Sequence, residues 1–141
     1  MSNWVLSSNP TTYNLKNAFL DNHEVDWVTK QKFGVGDMVY IYEVIPPRGR
    51  GGIVYKAEVV DTGISMKDKF DDRNYWANQI YPKNFTESTR FIRLRFLEES
   101  NSGNLSLRAL RDYGFSAPQG SAHLLDNKRS LLKHIQSQFS S

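Results

Sequence analysis

The chain contains no cysteine among its 141 residues, which excludes disulfides, thiolate metal sites and cysteine nucleophiles. Its three histidines, His23, His123 and His134, fall at no ligand spacing, so imidazole chemistry is thin as well. No metal and no cofactor is expected. Long hydrophobic runs are missing too, since no window approaches the roughly 18 consecutive apolar residues that a membrane helix needs. The opening MSNWVLSSNP lacks the basic-then-apolar layout of a secretory signal. A cytoplasmic protein with no membrane partner is the expectation. Internal repeats and low-complexity tracts are also absent.

What is present suits one compact domain and is awkward for two, with a single core as the economical reading, so residues 1–141 are expected to form a single domain. Net charge is +3, from 18 Lys plus Arg against 15 Asp plus Glu, a bias compatible with a polyanion partner but too small to identify one. The basic residues gather in Arg48 and Arg50, in Lys67, Lys69 and Arg73, and in Arg90, Arg93 and Arg95, which reads as loops and one strand rather than a tail.

Along the chain, Trp4, Val5 and Leu6 make a short β run that halts at Asn9-Pro10, with Trp4 read as core. Thr11 or Thr12 then caps a helix over YNLKNAFLDN, where Leu15, Ala18 and Phe19 recur at helical spacing. EVDWV, at 24–28, fits neither a strand nor a helix pattern cleanly. VGDMVYIYEVI is a strand entered by the Gly36-Asp37 turn and covered on both faces, and with IVYKAEVVDTGI it forms an antiparallel hairpin across PPRGRGG. From Ser65 to Glu87 the chain is irregular, charged and aromatic, and a loop of that length in a small domain carries function when it does not carry disorder. Its aromatics have the apolar area to pack. RFIRLRFLEES alternates Ile92, Leu94 and Phe96 against Arg93 and Arg95, which places both arginines on the solvent face. LSLRALRDYG is a short helix, FSAPQGSAHLL a loop, and LDNKRSLLKHIQSQF a closing amphipathic helix. This order is α+β, with a curled, mainly antiparallel sheet.

WVLSSNP, EVDWVTKQKFGVGDMVYIY, GIVYKAEVV and YGFSAPQG, in that order, resemble the EVE domain of the PUA-like superfamily from Trp4 to about Phe139. The DW, VGDMVYIY and VYKAEVV segments are the most specific parts. The resemblance implies a curved antiparallel pseudo-barrel sheet flanked by helices, with a pocket for a nucleobase flipped out of a strand. EVE domains are similar to YTH readers of methylated adenine and SRA readers of methylated cytosine, and some resemble N-terminal sensors of modification-dependent restriction enzymes. The implied activity is therefore recognition, without catalysis, of a modified base such as 5-methylcytosine. The implied partners are nucleic acid, DNA ahead of RNA, and a nuclease on a separate or fused chain.

Carried over by residue, the resemblance assigns the base edge to Ser7, Ser8 and Asn9, the first aromatic wall to Trp27, and a base-facing backbone to Val28. The closing loop falls to Gln119 and Gly120. Trp76, Tyr75 and Tyr81 all qualify as the second wall. For flanking phosphates, the residues themselves offer Arg48 and Arg50 in a glycine-rich loop, and Lys30 and Lys32 just beyond Trp27. Two alternatives stand beside this reading. One is a reader of modified RNA. The other is an amidohydrolase acting on a modified nucleoside, as implied by similarity to the ASCH group, with Thr29, Lys30 and Glu58 as its chemistry.

Overall fold

The computed structural model describes residues 1–45, 50–116 and 122–140. In chain order its elements are β1 (Asn3–Ser8), α1 (Leu15–Asn22), β2 (Glu24–Val28), β3 (Met38–Glu43), β4 (Gly52–Ser65), β5 (Arg90–Glu99), α2 (Leu107–Arg111), β6 (Ala122–Leu124) and α3 (Arg129–Ser137). The strands form one sheet in the order β2-β5-β4-β3-β1-β6. It is mixed and unclosed: β1 runs parallel to β3, and the other neighbouring strands are antiparallel. The architecture is α+β.

Successive strand residues point to opposite faces, and each face carries its own core, so two cores share one sheet where length suggested a single core. Leu6, Val39, Ile41 and Ala57 pack with Leu15, Ala18 and Phe19 of α1 on one side. Val5, Tyr40 and Tyr42 pack with Leu110, Leu131 and Ile135, from α2 and α3, on the other. Because β1 and β3 are covered on both faces, residues 4–6 and 39–42 are continuous apolar runs instead of alternating ones, whereas the equally buried start of β4 includes Lys56. Register shifts along β4, on both its edges, bend the sheet.

Two glycines are dictated by geometry. At Gly52 a Cβ would sit 2.5 Å from the Leu105 carbonyl oxygen, because the chain before α2 crosses β4 in direct contact. Gly36 has φ of 95° in the turn before β3, where the Asp37 N–H returns to the Gly34 carbonyl at 3.0 Å.

Three elements differ from expectation. Asn14, not Thr11 or Thr12, caps α1, its side chain accepting from the Asn17 N–H at 3.2 Å. The EVDWV stretch is a full strand, β2, paired with β5 from Glu24↔Arg95 to Val28↔Phe91. It fails to alternate because Val25 and Asp26, on opposite faces, are both buried. The AHL stretch, read as loop, adds β6 to the edge of β1.

Candidate nucleic-acid interface

The long segment between β4 and β5 folds back over the end of β2 and over the turn before α1. Backbone hydrogen bonds stitch it there: Asn14 N–H to the Tyr75 carbonyl at 2.7 Å, and Ala77 N–H to the Thr12 carbonyl at 2.9 Å. Tyr13, Asp26, Trp27, Val28, Lys69, Trp76 and Phe85 thereby line a narrow cleft of about 100 Å³. Its wall is aromatic. Tyr13 stands edge-on to Trp27 with centroids 5.7 Å apart and is tilted 64° to Trp76 at 4.8 Å, so both indoles rise from it. Phe85 continues the wall beyond Trp76 at 5.7 Å and leans on Phe91 of β5.

Beneath the rings lies a buried polar layer. The Lys69 Nζ meets the Asp72 Oδ1 at 2.6 Å with side chains only 3% and 1% exposed, and it also donates to the Phe70 carbonyl at 2.8 Å. The Tyr13 hydroxyl donates to the other Asp72 oxygen at 2.8 Å. Burial, reinforced by the Asp72 carboxylate, pushes Tyr13 well above the ordinary tyrosine range, which keeps it a proton donor. Asp26 accepts two bonds from the Arg93 guanidinium, at 2.7 and 3.0 Å, and one from the Phe70 N–H at 3.0 Å. Arg93 is thus half-buried and engaged, correcting its reading as a solvent-face residue. Arg95, although exposed, pairs with Glu58 at 2.5 Å. The polar layer holds the loop to the sheet. The Trp76 indole N–H is buried with no hydrogen-bond partner among the described residues.

Of the base-contacting residues expected from sequence, Trp27, Val28 and Trp76 come together in this cleft. Tyr75 stands next to it, 6.4 Å from Tyr13 between centroids, with its hydroxyl donated to Asp21 at 2.6 Å. Tyr81, in the same segment, leans on Phe85 at 6.0 Å and has the Lys69 Nζ 4.5 Å over its ring. Ser7, Ser8 and Asn9 are not among the cleft's lining residues. The Ser7 Oγ is buried and unpaired among the described residues, Ser8 is buried opposite Glu43 of β3, and Asn9 organises the turn leading to Tyr13. Gln119, Gly120 and Arg48 lie outside the described residues. Tyr13, Phe85 and the Lys69–Asp72 pair belong to the cleft, yet their sequence surroundings carried no motif for it.

Lys30 and Lys32 are exposed just past the cleft mouth, in adjoining clefts of about 300 and 260 Å³. Arg50 is elsewhere. It is bound to Glu99 and Asn101, at the opposite end of β5 from Arg90, nine strand residues and about 30 Å away. The hydrolase residues are also apart: Thr29 donates to Gln31 at 3.0 Å beside Lys30, while Glu58 faces Arg95 and is not part of that cleft.

No protein-family model and no curated protein matches the chain. Solved structures do. Human THYN1, in complex with DNA containing 5-methylcytosine, matches over 100% of both chains with a TM-score of 0.65 at 11% identity. A mutant of ZmASCH from Zymomonas mobilis gives 0.66 at 11% identity, over 98% of this chain and 97% of that one. A hypothetical protein from Leishmania major gives 0.62 at 16% identity, covering 99% and 98%. The fold is PUA-like. The DUF55 domain of human thymocyte nuclear protein 1 and the ASCH protein share it.

Proposed function

We propose that this chain is a non-catalytic binding module that takes a modified nucleobase, flipped from a nucleic-acid strand, into the cleft between Trp27 and Trp76. The observation that carries the reading is the cleft itself: three rings and Phe85 around a space of about 100 Å³, over buried charges already paired within the protein. Drug-sized ligands take roughly 300 Å³ or more, so this space suits one planar ring. Flipping a base costs a few kcal/mol, and an aromatic contact returns roughly 1 to 3 kcal/mol per base. A methyl group buried in such a dry slot adds about 0.8 kcal/mol, which stacking on the unmodified base lacks. The fold shared with THYN1, whose structure contains 5-methylcytosine DNA, favours a modified cytosine in DNA. The resemblance to sensors of modification-dependent restriction enzymes extends the proposal to a sensor role, with a nuclease on a separate or fused chain.

The test is a fluorescence-polarisation titration against matched duplex and single-stranded oligonucleotides bearing cytosine, 5-methylcytosine, 5-hydroxymethylcytosine, adenine or N6-methyladenine, in DNA and RNA. The expected result is a preference of about fourfold or more for one modified base, the equivalent of the roughly 0.8 kcal/mol that a buried methyl adds. Trp27→Ala should erase that preference while leaving weak salt-dependent binding. Trp27→Phe, which keeps an aromatic ring against Tyr13, should retain part of it. Equal binding to every base by the wild-type protein would overturn the reading.

A further inference from the structure

A continuous groove leaves the cleft on one side. Val28 and Phe85 belong both to the cleft and to the adjoining space of about 300 Å³, which Thr29, Lys30, Ser88, Thr89 and Arg90 complete with Asn84. Thr29 and Arg90 in turn belong to the next space, of about 260 Å³, together with Lys32 and Thr62. No acidic residue lines either space, and the polar groups that do are cations, hydroxyls and amides.

The cations in this groove are uncommitted, unlike the neighbouring arginines of β5. Arg93 and Arg95, the next arginines along β5 from Arg90, each have a carboxylate within ion-pair distance. Among the described residues, Lys30, Lys32 and Arg90 have none. Arg90 is nonetheless held in place. Its guanidinium donates to the Glu87 and Thr89 carbonyls at 2.9 and 3.0 Å, and the turn carrying them is closed by Thr86 N–H to Thr89 Oγ1 at 2.8 Å and by a Thr86–Ser88 hydroxyl pair at 2.9 Å. A cation fixed without a counter-charge is already ordered for an anion and has no ion pair to break on binding it. The other wall of the cleft is different: beyond Tyr13 and Trp76 stands Tyr75, tied to the exposed carboxylate of Asp21.

We propose that this groove is a phosphodiester-binding track for the nucleotides on one side of the flipped base, with Arg90, Lys30 and Lys32 on the phosphates. It rests on the base-reader reading for its direction, but not for its chemistry. An unpaired, extended flank on a single side is the substrate that it fits. Phosphate contacts of this kind set affinity and its salt dependence without reading sequence.

The test uses the full chain and four single-stranded DNA probes: a decamer with 5-methylcytosine at its centre, its unmodified twin, and two hexamers with the 5-methylcytosine at the 5′ or the 3′ end. Arg90→Ala and Lys30→Ala, both at exposed positions, should weaken the two decamers by the same factor, about fivefold to tenfold each, and each should lower the slope of log affinity against log salt by about one. Arg90→Lys should recover most of the loss. One hexamer should bind like the decamer and the other at least tenfold worse. Equal hexamers, or wild-type binding by Arg90→Ala and Lys30→Ala, would overturn the track. If those variants are inert while preference for 5-methylcytosine persists, the track fails and the base pocket stands. If the preference is absent while Arg90→Ala still weakens both decamers, the track stands without the pocket.

Discussion

The Asp37 carboxylate accepts the N–H of Ser2 at 2.8 Å, the N–H of Gly34 at 2.9 Å and the indole N–H of Trp4 at 3.0 Å, so a single residue closes the turn before β3 and anchors the start of β1. Burial by itself would raise its pKa. The Gly34 and Ser2 N–H groups, the Trp4 indole and the N-terminal ammonium outweigh burial and hold it below the ordinary carboxylate range. A depressed folded-state pKa contributes stability above the unfolded value, about 3.9, which is lost as pH falls through the folded value. The wild-type protein should therefore lose stability below about pH 4, and Asp37→Asn should lose less over the same interval. Urea midpoints at pH 7 and pH 3 check this, and an equal acid loss in both proteins would show that other carboxylates govern it. The Gly-Asp pair was legible in sequence as a turn. That Trp4 sits half-buried with its N–H on Asp37 was not, because the partners lie 33 residues apart.

At the scale of the element, the β4–β5 segment has little regular structure to hold it, only two short 3-10 turns at Arg73–Tyr75 and Ala77–Gln79. Besides the two backbone bonds to Asn14 and Thr12, the Lys69–Asp72 pair braces the segment internally, and the Tyr13 bond to Asp72 and the Phe70 N–H bond to Asp26 tie it to the rest of the fold. Removing one member of a buried ion pair strands the other charge and costs about 3 to 5 kcal/mol. Lys69→Met should cost that much in urea unfolding, and Lys69→Met combined with Asp72→Asn should regain a large part, since no buried charge then remains unpaired. A single variant within about 0.5 kcal/mol of wild type would show that the pair does not hold the segment. The aromatics of this stretch signalled from sequence that it packs, and Trp76 was among the candidates for the second wall. Its anchors were hidden for the same reason that β2 was: Asp26 is a charged residue turned inward, and its partner Arg93 is 67 residues away. Local alternation therefore put Arg93 on the solvent face and left EVDWV without a period.

Across the whole molecule, the same strands serve both cores. Neighbours in β1 and β3 alternate between the α1 side and the α2–α3 side, and β4 sends Val54 and Tyr55 to one core and Ile53 to the other. The sequence announced this in β3 alone, whose apolar residues on both parities marked it as covered on both faces. The parallel pairing of β1 with β3 was not legible, since periodicity fixes faces but not strand direction. Sharing strands should make the faces unfold together, and the three tryptophans allow a direct check, because Trp4, Trp27 and Trp76 all pack on the α1 side. Ile135, on α3, is 0% exposed in the opposite core. Truncating such a residue costs about 2 to 5 kcal/mol. In a cooperative domain Ile135→Ala should lower the urea midpoint of tryptophan fluorescence as far as it lowers that of far-UV circular dichroism, with the slope unchanged. If fluorescence instead keeps its wild-type midpoint while circular dichroism shifts, the α2–α3 face unfolds by itself, and the aromatic cleft survives the loss of the other core.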